Sequence, residues 1–147
     1  MKNREFTFTM IKPTAIRFGK LVPILDEINH AGFAVIAMKM TRLSKAQAEK
    51  FYAIHKERPF FEELVSFMSS GPVLAAVLQK ENAVQEFRKL IGNTNPQSAE
   101  EGTIRKKFAI SIQENAIHGS DSDQNALIET NFFFNQFEIF SNNESFL

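Results

Sequence analysis

The sequence predicts an α+β fold of the ferredoxin-like βαββαβ kind, an antiparallel sheet covered by helices. Three observations carry that expectation. Four short segments have strand character, apolar stripes at helical spacing fall between the first and second and after the third, and the resulting order is that of the split βαβ arrangement. The 147 residues are enough to bury one core, and no repeat or linker interrupts them, so residues 1–147 are expected to form a single domain.

The elements follow in order. Phe6, Phe8 and Met10 alternate with Thr7, Thr9 and Ile11, a strand with a period of two that Lys12-Pro13 ends. Leu21 to Ala31 places Leu21, Ile24, Leu25 and Ile28 on one helical face, carries Pro23 in its first turn and stops at Gly32. Phe33 to Met40 reads as the second strand, and Ser44 with Gln47 forms a capping box for a helix from Lys45 to about Ile54. Phe60, Phe61, Leu64, Val65 and Met68 mark a further helix that ends before Gly71-Pro72. Val73 to Leu78 is short, continuous and apolar, as a buried strand would be. Asn82 is expected to cap a helix bearing Ala83, Val84, Phe87, Leu90 and Ile91, closed by Gly92. Residues 93 to about 122 are loop-rich, with a short helix near Thr103 to Lys107 and the fourth strand expected at Ala109 to Ile112. A last helix spans about Ser122 to Phe133, and a divergent tail from about 135 mixes Phe137, Ile139, Phe140 and Phe146 with Asn and Ser.

Composition narrows the function. Cysteine is absent, which removes disulfide frameworks and thiolate metal sites. Seventeen basic residues balance seventeen acidic ones, so bulk attraction to nucleic acid or to an anionic membrane is not expected. No window approaches the roughly 18 apolar residues of a membrane span, and a cytoplasmic protein is expected. A ferredoxin-like order also occurs in RNA-recognition modules, but those need a basic surface and an aromatic Lys/Arg-Gly-Phe strand motif, neither of which is present.

The segment Asn115-Ala116-Ile117-His118-Gly119-Ser120-Asp121-Ser122 is the most informative in the chain. It gives one histidine a backbone with little steric bulk and small polar neighbours. Imidazole, with an ordinary pKa of about 6.5, is largely neutral near pH 7, and its unprotonated nitrogen attacks phosphorus well. Taken alone, a histidine in such a turn is a surface residue. Its company raises its standing: Lys12 ends the first strand, Arg88 lies before Gly92, Thr94 is in the following loop and Arg105 is in the short helix, all at borders of rigid elements. No Gly-x-x-x-x-Gly-Lys loop is present to cradle phosphates in that way.

Together these residues resemble the nucleoside diphosphate kinases. The matching stretches are Thr9-Met10-Ile11-Lys12-Pro13, Arg58-Pro59-Phe60-Phe61, Phe67-Met68-Ser69-Ser70-Gly71-Pro72, Glu81-Asn82-Ala83-Val84, Gly92-Asn93-Thr94-Asn95-Pro96, Gly102-Thr103-Ile104-Arg105 and the octapeptide around His118, from about Phe6 to Phe134. The resemblance implies a bacterial-type enzyme that moves the γ-phosphoryl group of a nucleoside triphosphate to a nucleoside diphosphate through phosphohistidine at His118, so maintaining triphosphate pools. It places Glu129 against the other ring nitrogen, and Arg88, Arg105 and Thr94 on the phosphates. Tyr52 falls near the transferred group, and Lys12 and Asn115 on the sugar hydroxyls, with Lys12 also near the phosphates. Phe60 would stack on the base and Ile112 close the slot from the other side. Read without the resemblance, both are core residues and Glu129 is an exposed helix carboxylate.

The resemblance also implies Mg²⁺ held by nucleotide phosphates and water, with Asp121 helping at most through a water, and a homo-oligomer, hexamer or tetramer. Thr14, Glu101 and Lys106-Lys107 depart from the usual pattern, none at a catalytic position, and Glu101 bears on assembly more than on chemistry; the Phe-rich tail is expected to find a surface, such as a neighbouring subunit. A regulatory binding protein without catalysis is disfavoured because the whole catalytic set is present.

Overall fold

The computed structural model describes residues 5–141. Four strands, β1 (Phe6–Ile11), β2 (Ala34–Thr41), β3 (Val73–Gln79) and β4 (Ile117–Gly119), form one sheet in the order β2-β3-β1-β4, each neighbouring pair antiparallel. The helices are α1 (Pro13–Arg17), α2 (Leu21–His30), α3 (Lys45–Phe51), α4 (Phe61–Met68), α5 (Ala83–Ile91), α6 (Ile104–Phe108) and α7 (Asp123–Phe133), with 3₁₀ turns at Ala53–His55 and Gln136–Glu138. This is the expected ferredoxin-like α+β architecture.

The sheet is covered on both faces, which is why all six residues of β1 are buried. Phe6, Phe8 and Met10 meet Leu64, Val65 and Met68 of α4 and Ala126 of α7 on one side. Ile11, Leu74, Ala76 and Leu78 meet Ile24 and Ile28 of α2 with Phe87 and Ile91 of α5 on the other. The threonines of β1 are therefore enclosed too, and Thr9 uses its hydroxyl to donate to the carbonyl of His118 (2.7 Å), tying β4 to the sheet.

Three local expectations are corrected. Ala109 to Ile112 is not a strand. It belongs to a turn in which Ile110 N–H donates to the Glu114 carbonyl, and Ile110 and Ile112 are exposed, so its β-branched composition finds no strand partner. The fourth strand is Ile117–Gly119, carrying His118 opposite Met10. A Cβ on Gly119 would lie 2.9 Å from Ile91 Cδ1 and 3.1 Å from Phe87 Cδ2, so the glycine beside the histidine lets α5 close on β4 and does not serve a flexible turn. Lys12-Pro13 ends β1 as expected, and Pro13 also opens α1, where its missing N–H costs nothing. The helix from Lys45 ends at Phe51, and the chain continues through the 3₁₀ turn. Asn82 sits at the start of α5 with φ 58°, and its side chain donates to Gln85 Oε1 in place of accepting from the helix backbone. The Ser44–Gln47 capping box is formed as expected.

The described part of the tail returns to its own chain. Phe140 N–H donates to the Ile36 carbonyl (2.7 Å), Lys39 Nζ lies 2.8 Å from Glu138 Oε2, and Ile139 packs against the core, while Phe137 and Phe140 keep exposed rings. Phe146 lies outside the described residues.

Candidate active site

His118 is held from three directions. Its backbone is fixed in β4, its Nε2 lies 2.9 Å from Glu129 Oε1 on α7, and its ring lies among Phe8 (6.0 Å between centroids), Phe51 (5.5 Å) and Tyr52 (6.3 Å). Glu129 reaches inward because Ser122 caps α7, accepting from Asn125 N–H (3.0 Å), and so sets the helix against β1 and β4. Ser120 Oγ donates to the same Glu129 oxygen (2.6 Å) and accepts from Phe8 N–H (3.3 Å). Glu129 is thus a mostly buried, doubly hydrogen-bonded carboxylate and not the exposed helix residue that its position alone suggests. A carboxylate at Nε2 favours the tautomer with the proton on Nε2, which leaves the Nδ1 lone pair unused within the pair.

Beside this pair the basic residues converge. Arg88 of α5, Thr94 of the following loop and Arg105 of α6 line a cleft of about 510 Å³. Arg105 is anchored by its own donors: Nη1 to the Gly92 carbonyl (2.9 Å) and Nη2 to the Ile117 carbonyl (2.8 Å), which joins the cleft to β4. Gly92 has φ +86°, and a Cβ there would lie 2.6 Å from Thr103 Oγ1, so only glycine lets α5 and the start of α6 meet. Burial lowers the Arg105 pKa to about 10, helped by Arg88, which still leaves it charged near pH 7.

Lys12 is buried at the end of β1. Its Nζ donates to Asn115 Oδ1 (2.6 Å), and Asn115 Nδ2 reaches the Thr94 carbonyl (3.4 Å), linking the strand, the cleft loop and the segment before β4. Desolvation, then the Arg105 charge, lowers its pKa to about 7. A bound polyanion would restore the charge. Nucleotide binding at pH 8 is therefore expected to take up close to one proton, falling toward zero near pH 5.5 where Lys12 is already protonated. Titration calorimetry in buffers of different ionisation enthalpy measures this uptake, and Lys12→Met should remove it; binding at pH 8 that is indifferent to the buffer would contradict it.

Tyr52 is buried, and its hydroxyl has no partner among the described residues. Burial, with the nearby Glu129 charge, raises its pKa, so it stays a neutral donor. Phe60 and Ile112, core residues by pattern, are instead 44% and 58% exposed. Phe60 stands at the start of α4, and Gln113 Nε2 donates to the Glu63 carbonyl (3.1 Å), which brings the Ile112 loop alongside that helix. Asp121 is exposed and accepts from Asn125 (2.6 Å). Among the departures from the pattern, Thr14 donates to Glu114 (2.8 Å), Lys107 pairs with Glu27 (2.6 Å) and Glu101 is exposed. His30 and His55 lie apart from the Glu129 pair; His30 bonds the Asp26 carbonyl on its own helix, and His55 lies on the 3₁₀ turn, its ring 5.7 Å from that of Phe60. Two contributors carry no signal in the sequence: Ser120 as a donor to Glu129, and Phe51 against the imidazole.

A family model described as nucleoside diphosphate kinase matches residues 5–139. The chain belongs to the nucleoside diphosphate kinase family. The match continues five residues past Phe134, the last residue of the resemblance in the sequence. A nucleoside diphosphate kinase of Lawsonia intracellularis is 54% identical over 91% of this chain and 97% of its own, and one of Flavobacterium psychrophilum is 59% identical over 87% and 92%. The nucleoside diphosphate kinase structure of Aquifex aeolicus superimposes with a TM-score of 0.90 at 45% identity, covering 92% of this chain and 98% of that one. That of Halobacterium salinarum in complex with CDP gives 0.90 at 34% identity, covering 96% and 94%. As a nucleoside diphosphate kinase, this protein is an enzyme, a nucleotide-binding transferase that moves phosphate between nucleotides. Among the described residues no helix is long and apolar enough to cross a membrane.

Proposed function

We propose that the enzyme transfers the γ-phosphoryl group of a nucleoside triphosphate, typically ATP, to a nucleoside diphosphate in two steps through a phosphohistidine at His118. The 2.9 Å contact between His118 Nε2 and Glu129 carries this reading. Nδ1 attacks the γ-phosphorus in line, the bond from that phosphorus to the β,γ-bridging oxygen breaks, and the diphosphate leaves with the electron pair. The second diphosphate reverses the step with its own terminal oxygen. Proton and charge bookkeeping stays local, because Glu129 holds the Nε2 proton throughout and stabilises the ring as it becomes cationic. Arg88, Arg105 and Thr94 hold the phosphates, Tyr52 donates toward the transferred group, and Lys12 with Asn115 takes the sugar hydroxyls. Such fixed donors stabilise charge on the equatorial oxygens without reorganising during transfer.

No group of three His, Asp or Glu able to hold a metal occurs among the described residues, while cations line the cleft. This donor set fits Mg²⁺ carried in by the nucleotide's phosphates and its own waters, with Asp121 within reach only through water. The ion would neutralise phosphate charge. In the cell, the same ping-pong exchange would keep triphosphate pools level. One domain spanning the chain, a cytoplasmic location, no nucleic-acid or membrane partner and a hexameric or tetrameric assembly complete the proposal.

Incubating the protein with ATP, Mg²⁺ and GDP, CDP or UDP tests it: each new triphosphate should form, and ATP alone should leave one phosphate on His118. Direct transfer with no phosphoenzyme would overturn the two-step scheme.

Exposed apolar surfaces at Phe60 and Ile112 support broad base tolerance, since stacking uses the face that every base presents. Phe60→Ala should weaken ADP, GDP and CDP alike, by about 1–3 kcal/mol for a stacked base. Part of the loss should also appear in the transfer rate, because base binding helps to hold the phosphates in place. The melting temperature should hardly move, because the ring is exposed. A large loss for one base alone would contradict the stacking account.

A further inference from the structure

Phe51, the last residue of α3, gathers five aromatic neighbours. Its ring centroid lies 5.5 Å from that of His118 at 75° between planes, 4.9 Å from Tyr52, 5.3 Å from Phe132, 5.6 Å from Phe133 and 5.8 Å from Phe8. The last three are the packing of an ordinary core ring; the contact with the imidazole is of another kind. Glu129 holds one atom of the His118 ring, but Nε2 lies close to the line of the Cβ–Cγ bond, so the imidazole can still turn about that bond with the hydrogen bond kept. A flat aromatic surface steeply inclined to the imidazole limits that turn, because rotation brings the edge of one ring onto the face of the other. Phe8 lies 6.0 Å away at 58°, on β1, while Phe133 stacks on Phe8 at 5.2 Å and keeps it in place. An aliphatic side chain at position 51 could fill the volume without offering a plane.

We propose that Phe51 is a positioning residue for phosphoryl transfer, its ring fixing the imidazole plane of His118 so that Nδ1 stays on one line of attack while Glu129 fixes Nε2. The proposal rests on His118 being the phosphorylated residue. Nothing in it requires Phe51 to touch the nucleotide, so its loss should appear in the transfer step and not in binding.

The test compares Phe51→Leu with Phe132→Leu, which removes a neighbouring ring of the same cluster that packs on Phe51 and Phe133. For each protein, the rate of phosphorylation by ATP and Mg²⁺ in a single turnover, the ADP affinity, the melting temperature and the phosphorylated residue are measured. Phe51→Leu should slow phosphorylation about tenfold with ADP affinity unchanged within about twofold. Phe132→Leu should lower the melting temperature comparably yet keep the rate within about twofold, and Phe51→Tyr should retain the parental rate. If Phe51→Leu does not fold, Phe51→Met replaces it. A parental rate in Phe51→Leu, or rates that fall in step with melting temperature in both leucine variants, overturns the role of Phe51. Phosphate on a residue other than His118 in the unmodified protein instead overturns the reading beneath it.

Discussion

His118→Ala is expected to lower phosphoryl transfer by at least about 10⁴-fold and to eliminate the acid-labile phosphate that ATP leaves on the unmodified protein. The size follows from what is removed. Positioned arginines, Lys12 and Tyr52 remain, but with no nucleophile between donor and acceptor the two-step route is closed, and the cleft would have to bring two nucleotides together at once. The fold should survive. β4 is held by its backbone pairing with β1, by the Thr9 hydroxyl and by Arg105 on the Ile117 carbonyl, none of which uses the imidazole. Glu129 keeps its Ser120 donor, so its carboxylate is not left bare, and a modest loss of melting temperature covers the missing ring contacts. Circular dichroism, nucleotide affinity and the phosphoenzyme assay together check this. Label on His30 or His55 in the unmodified protein would refute the assignment.

Glu129→Gln should slow phosphorylation of His118 by about 10- to 100-fold, with nucleotide affinity nearly unchanged. The carboxylate fixes the Nε2–H tautomer and steadies the positive charge that grows on the ring as the bond to phosphorus forms. The amide retains one oxygen for a donor but presents an NH₂ at the other position, and Ser120 competes for that oxygen at 2.6 Å. Tautomer and charge stabilisation are both weakened, and a ring that turns forfeits alignment in every encounter. A single-turnover rate equal to the parent's would remove Glu129 from the mechanism.

Much of the sheet was legible because β1 and β3 are central strands whose patterns answer to packing on both sides, and α2 and α5 carry clean apolar stripes ended by glycine. β4 was not, since three residues with a histidine and a glycine show no period, and the β-branched run at Ala109 to Ile112 offered a better local imitation of a strand. What makes Ile117–Gly119 a strand is the vacant edge of β1 and the room Gly119 gives to α5, both properties of the assembled fold. The exposure of Phe60 and Ile112 was hidden for a similar reason, as apolar character says nothing about whether a surface is left open. The residues drawn together by resemblance were legible as types in a pattern. The part of Phe51 was not, because in sequence it is one more apolar helix position.

The pairing of the chain's beginning with its far end bears on how activity is gained. Ser120 meets Phe8 across 112 residues and Lys12 meets Asn115 across 103, so His118 and Glu129, only 11 residues apart, come to lie against β1 and its lysine only after the longest loops have closed. Contacts of such separation form late, since their closure entropy is met only when intervening structure is in place. A growing chain that has not yet supplied α7 has no carboxylate for His118, and should not accept the terminal phosphate of a nucleotide. Recovery of transfer during refolding should accordingly trail the return of helical signal, making catalysis a reporter of the last stage of assembly.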